Sequence, residues 1–100
     1  EDYIPYPSRD AEGLFALKVV GLSMSDAGIL DGDIIVADKN APCRSGDIII
    51  GMDGDEATVK RFYKENGHFR LQPENDSMDP IIVEDCQILG KVFGVFRLYQ

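Results

Sequence analysis

Glu56-Ala57-Thr58-Val59-Lys60-Arg61-Phe62-Tyr63-Lys64 is followed by Asn66-Gly67 and then by His68-Phe69-Arg70-Leu71-Gln72. The first run holds β-branched and aromatic residues. The Asn-Gly pair tolerates the positive φ angles of a tight hairpin turn, so the two runs read as antiparallel neighbours. Pro73-Glu74-Asn75 ends the second of them.

The same grammar extends in both directions. Leu14 to Val20 reads as a strand, apolar on both faces and so buried on both sides, and Gly21 ends it. Ser23 to Leu30 predicts one or two helical turns, with a start at Ser25-Asp26-Ala27 and an early stop at Gly28. Asp31-Gly32-Asp33 and Asp53-Gly54-Asp55 are tight turns. Ile34 to Asp38, Asp47 to Met52 and Ile81 to Val83 are further strands, with Asn40-Ala41-Pro42 a break. Gln87 to Tyr99 is a long apolar run whose Gly90 and Gly94 predict a bent strand or a division into two. Residues 1–13, with Pro5 and Pro7, read as an extended lead-in arm. Many short strands with little helix predict one all-β domain over residues 14–100, a sandwich or partly closed barrel with one or two short helical turns.

Composition narrows the function. One hundred residues, 44% hydrophobic and 28% charged, suit one globular domain. No apolar run approaches the ~20 residues of a membrane-spanning helix, and no secretory leader is visible. A formal net charge of −8 repels a polyanion, so the chain by itself is unsuited to nucleic acid. The acidity instead serves solubility or meets a basic patch on a partner. Cys43 and Cys86 lack Cys-x-x-Cys spacing and argue against zinc. They read as reduced, packed thiols of a cytoplasmic protein, with a disulfide left open.

Two strings carry possible chemistry. Gly21-Leu22-Ser23-Met24 sets a serine after a strand, and Thr58-Val59-Lys60-Arg61 sets a lysine within one. Serine needs a base to become a nucleophile, and a buried lysine can supply it. A base acting near pH 7 needs a neutral amine, about three units below the ~10.4 of free lysine, which burial can achieve. The bland readings are a turn or N-cap serine and a solvated lysine on an open strand face. Alternation puts Thr58, Lys60, Phe62 and Lys64 on one face and Ala57, Val59, Arg61 and Tyr63 on the other. Neither is cleanly apolar, so the position of the ammonium stays open. The N–H groups of Leu22 and Ser23 are the nearest candidates for an oxyanion site. Asp53-Gly54-Asp55-Glu56 lacks the spacing of an EF-hand, and no metal or cofactor site is expected. His68 reads as an exposed hairpin residue, structural at most.

Four ordered strings resemble a known family: Gly21 to Met24, Asp26 to Asp33, Thr58 to Phe62 and Leu71 to Asn75. The chain is similar, over nearly its whole length from Tyr3, to the C-terminal domain of LexA repressors, a peptidase family shared with UmuD-type and phage repressor domains. Ile88 to Arg97 resembles the Gram-positive members. The resemblance implies a β-clip fold related to signal peptidases, with Ser23 as nucleophile and Lys60, 37 residues later, as general base. Thr58 would orient the amine. The reaction implied is cleavage of one Ala-Gly bond in the repressor's own chain, on a loop upstream of the arm. Ala27-Gly28 belongs to the motif framing the site and is not read as the substrate. The chain is expected to begin after that bond and so not to cut itself, though it could cut a supplied peptide.

The resemblance also implies partners. These are a RecA–single-stranded-DNA filament that stimulates cleavage in the SOS response, and a second copy of the chain, paired through Val92 to Leu98 as an apolar edge strand. Operator DNA would be reached only through an N-terminal winged helix-turn-helix domain not present here. No membrane is implied. The rival reading is a UmuD-like polymerase accessory protein whose dyad is spent.

Overall fold

The computed structural model describes residues 3–4 and 12–99. Eight strands form one sheet: β1 (Tyr3–Ile4), β2 (Leu14–Lys18), β3 (Ile34–Asp38), β4 (Ile48–Asp53), β5 (Glu56–Glu65), β6 (His68–Gln72), β7 (Ile81–Val83) and β8 (Ile88–Phe96). Their order is β1-β2-β3-β8-β4-β5-β6-β7, with every neighbouring pair antiparallel. A single 3-10 turn, Ser25–Ala27, is the only helical element among the described residues. The all-β expectation is met. Of the lead-in arm, Tyr3 and Ile4 pair with Leu17 and Ala16. The rest of it up to residue 11 lies outside the described residues.

The Asn66-Gly67 hairpin forms as its sequence dictates. Glu65 faces His68, Tyr63 faces Arg70 and Arg61 faces Gln72, and Gly67 takes φ +78°. Across it Phe62 stacks on Phe69 with ring centroids 5.5 Å apart, and the Arg70 guanidinium lies over the Tyr63 ring. His68 is half-buried, not exposed, because its Nε2 lies 3.0 Å from Glu65 Oε1.

Two apolar cores cover opposite faces of the sheet's middle. The first gathers Leu17, Val19, Met24, Ile29, Ile35, Ala37, Ile50 and Val59. The second is Ile49, Phe62 and Leu71, with Cys43, Phe69, Ile81, Cys86 and Ile88 against it. Residues opposite one another in an antiparallel pair share a face. Ile50 with Val59 therefore points into the first core, and Ile49 with Lys60 to the other side. Leu17 of β2 and Val59 of β5 share a core although three strands separate them in the sheet. The sheet thus curls into a partly closed barrel. Cys43 and Cys86 are free thiols.

Of the two readings offered for the C-terminal run, the bent single strand is the one the structure has, and the edge-strand expectation for Val92 to Leu98 needs correction. β8 lies inside the sheet and takes up its curvature in two bulges, at Leu89 opposite β4 and at Phe93 opposite β3. Bulges add twist without ending a strand. Pairing with β4 runs as far as Lys91, and pairing with β3 continues to Phe96. Arg97 then turns back, its guanidinium fork holding both carboxylate oxygens of buried Asp33 at 2.8 Å and the Gly28 carbonyl at 2.9 Å. The fork holds the Asp33 carboxyl below its ordinary pKa.

Gly90 marks a close approach of β8 to its neighbours, since a Cβ there would stand 2.9 Å from Phe15 Cε1 and 3.2 Å from Ala37 Cβ. At Gly94 the nearest atom would be 3.9 Å away. Gly90→Ala is expected to cost about 1–3 kcal/mol in urea unfolding by overpacking. Gly94→Ala should stay within about 1 kcal/mol of the parent protein.

Candidate active site

The serine sits where the chain leaves the sheet. β2 ends at Lys18, not at Val20 as its apolar run suggests, and Val20 is 78% exposed. The departure is fixed by backbone bonds: Val19 N–H donates to Asp33 O (2.7 Å) and Gly32 N–H to Val19 O (2.8 Å). Gly21, with φ +95°, makes the turn and donates its N–H to Asp31 Oδ1 at 2.7 Å. Only glycine takes that φ without steric cost. Met24 and Ile29, both buried, root the following 3-10 turn in the first core. Met24, without a side-chain cap, holds the N-cap position of that turn, and Gly28 closes it in the left-handed conformation. Ser23 is therefore not a capping serine, and its hydroxyl is left for another partner.

That partner is Lys60. Its Nζ lies 3.1 Å from Ser23 Oγ, 2.5 Å from Thr58 Oγ1 and 3.2 Å from Val59 O. The side chain is 7% exposed, so the solvated-lysine reading does not hold. Burial pushes the amine below its ordinary pKa, opposed by the negative charge of Asp53. These three contacts are within the capacity of a neutral amine, which would donate its two N–H groups to Thr58 and Val59 and accept the Ser23 proton at its lone pair. An ammonium would donate to all three. Such a pair is able to pass a proton from hydroxyl to amine without histidine or metal.

Ser23 and Lys60 open onto a cleft of about 440 Å³. Val20 and Leu22 form one wall, Met78 and Ile81 the other, and Asp53, Glu56 and Asp79 add carboxylates. The N–H groups of Leu22 and Ser23 donate to no acceptor among the described residues. Ser23, Lys60, Thr58 and Leu22, from separate stretches of sequence, thus come together beside the first half of β5. The sequence reading left Asn75 without a role, although it stands in the quoted string Leu71 to Asn75. Its side-chain Nδ2 donates to Leu22 O at 2.8 Å, beside the serine.

A scan of family models matches residues 1–93 to Peptidase S24-like. The chain belongs to this family. It is 56% identical to the LexA repressor of Geobacillus thermodenitrificans over 98% of its length and 49% of that protein's. Against the LexA repressor of Clostridium tetani the identity is 55%, over 91% of this chain and 46% of the relative. The LexA repressor of Bacillus pumilus is 54% identical over 97% and 49%. The chain spans about half the length of these curated relatives. Among the described residues no helix is long and apolar enough to cross a membrane.

The depressed amine has a thermodynamic signature. Between its folded pKa and the ordinary value, the unfolded chain binds more protons at Lys60 than the folded one, so stability rises with pH through that interval. Below it the fold carries a buried cation. Lys60→Met should therefore be more stable than the parent at pH 7 in urea unfolding. The gain should shrink toward zero as pH approaches the ordinary lysine value. No gain at pH 7 would contradict a desolvated amine.

Proposed function

We propose that this chain is the self-cleaving and dimerising half of a LexA-type repressor that controls the SOS response in the cytoplasm. The observation that carries the reading is the 3.1 Å approach of a buried lysine amine to a serine hydroxyl. The relatives named above are repressors, which favours this reading over the polymerase-accessory one.

The chemistry follows from the geometry. Neutral Lys60 takes the Ser23 proton as Oγ attacks the carbonyl of an Ala-Gly bond lying in the cleft. The N–H groups of Leu22 and Ser23 hold the oxyanion. Thr58 keeps the amine aimed. Lys60 then returns the proton to the leaving amine, and water hydrolyses the acyl-serine by the reverse proton path. A RecA–single-stranded-DNA filament would act by favouring the state in which the scissile loop fills the cleft and excludes water. Cleavage would part this dimerising unit from an N-terminal winged helix-turn-helix that reads operator DNA, a task ill suited to a chain of net charge −8.

The exposed apolar residues of the C-terminal run suit dimerisation, because a second copy would remove them from water. Val95, 42% exposed, and Leu98, 75% exposed, are among them.

In the full-length protein, Ser23→Ala and Lys60→Ala should each abolish self-cleavage on a gel while leaving the circular dichroism spectrum unchanged. The parent should cleave faster as pH rises. Asp53→Asn should move the midpoint of that profile downward, since it removes the charge that opposes deprotonation. A flat profile from pH 7 to 10 would exclude lysine as the base. Val95→Glu with Leu98→Glu should weaken the dimer about tenfold or more in sedimentation, as expected where apolar residues leave an interface core.

A further inference from the structure

The oxyanion donors assigned above lie on a loop outside the sheet, and such a loop aims its N–H groups only if something holds it. Asn75 is placed to do so. Its Nδ2 donates to Leu22 O at 2.8 Å and lies 3.4 Å from Ser25 Oγ. Leu22 O and the Ser23 N–H belong to the same peptide unit. No described peptide is cis, so the two groups point in opposite directions across a rigid plane. Fixing the carbonyl on one side therefore fixes the N–H on the other.

Asn75 is itself anchored. Its Oδ1 accepts the Ser77 N–H at 3.0 Å and the Ser77 hydroxyl at 2.7 Å. These two bonds settle the amide orientation, because they require the oxygen on the Ser77 side and the NH2 on the Leu22 side. One residue earlier, Glu74 O accepts the Asp26 N–H at 2.8 Å, so this segment also grips the middle of the 3-10 turn. The Glu74 carboxylate is in turn bound by Arg61, which follows Lys60 on β5. Base and nucleophile are joined twice. One link is the direct Lys60–Ser23 contact, and the other runs from Arg61 through Glu74 and Asn75 to Leu22.

We propose that Asn75 is a positioning residue for the peptidase reaction, holding the Leu22 carbonyl so that the Ser23 N–H faces the developing oxyanion. This rests on the proposed function and gives the string Leu71 to Asn75 a mechanical purpose. It predicts a defect in stabilising the oxyanion, not in deprotonating the serine.

Asn75→Asp is the sharpest variant, since it keeps the acceptor for Ser77 and replaces the donor to Leu22 with a repelling oxygen. Removing one oxyanion donor lowers a peptidase rate by about 10²–10³. A donor that is only released should cost about 10–100-fold. Self-cleavage of the full-length protein is measured from pH 7 to 11 for the parent, Asn75→Asp, Asn75→Ala and Ser77→Ala. The expected result is a plateau lowered about 10–100-fold by both Asn75 variants, with the pH midpoint unmoved in the uncharged Asn75→Ala, and about fivefold or less by Ser77→Ala. Nitrogen-15 relaxation of the Ser23 amide, recorded on this chain, should give a lower order parameter in both Asn75 variants than in the parent. A plateau within about twofold of the parent overturns the proposal. So does a midpoint shifted upward with the plateau regained in Asn75→Ala, which would mean that Asn75 acts on Lys60. An unchanged order parameter overturns it as well, whatever the rates. A parent protein that does not cleave overturns the proposed function, and the order parameter still decides whether Asn75 holds the loop.

Discussion

The amine of Lys60 is held out of water against the hydroxyl of Ser23, and much of the structure works to keep it there. A lysine in solvent is a cation with no lone pair to offer. Burial penalises the charged form, and the few remaining partners are those a neutral amine is able to satisfy. Asp53 pulls the other way, so the site sits in a balance between desolvation and a nearby negative charge. That balance makes proton removal a property of the environment, open to change whenever the cleft is filled or emptied.

The sheet brings this about by curling. β5 is covered on both sides along its middle, with Val59 in one core and Phe62 in the other. Lys60 stands on the same face of β5 as Phe62 and reaches the serine where β2 lets go of the sheet. The serine loop is then fastened from several directions. Asp31 takes the Gly21 N–H, Asp33 with Arg97 locks the turn beyond the 3-10 segment, and Met24 and Ile29 root it in the core. The C-terminal run contributes twice, through β8 within the sheet and through Arg97 against Asp33. A dimer contact along Val92 to Phe96 would thus lie one residue from the clamp that steadies the nucleophile's loop.

Much of this was legible in the chain. The Asn66-Gly67 hairpin, the turns at Gly32 and Gly54 and the strands between them follow from local stereochemistry, which needs no tertiary context. Ser23 and Lys60 were legible as a pair through their ordered strings. What was not legible depends on partners distant in sequence. Val20 looks like the continuation of a buried strand but lines the cleft, because apolar residues serve substrate walls as well as cores. Alternation along β5 could not place the Lys60 ammonium, since both faces of that strand are covered and neither reads as solvent. Val92 to Leu98 reads as an edge from its composition, yet β8 pairs with both β3 and β4 and so lies inside the sheet. Asn75 was in view as a letter in a motif, but its reach to Leu22 is a long-range contact that no periodicity encodes.

The most direct test is titration of the Lys60 Nζ itself, by nitrogen-15 NMR on this chain labelled at lysine, with Ser23→Ala for comparison. A desolvated base should titrate well below the ordinary lysine value, and below every other lysine of the protein. A Lys60 amine that titrates with the exposed lysines, or above them, would contradict the account, because no neutral base would then stand beside the serine near physiological pH.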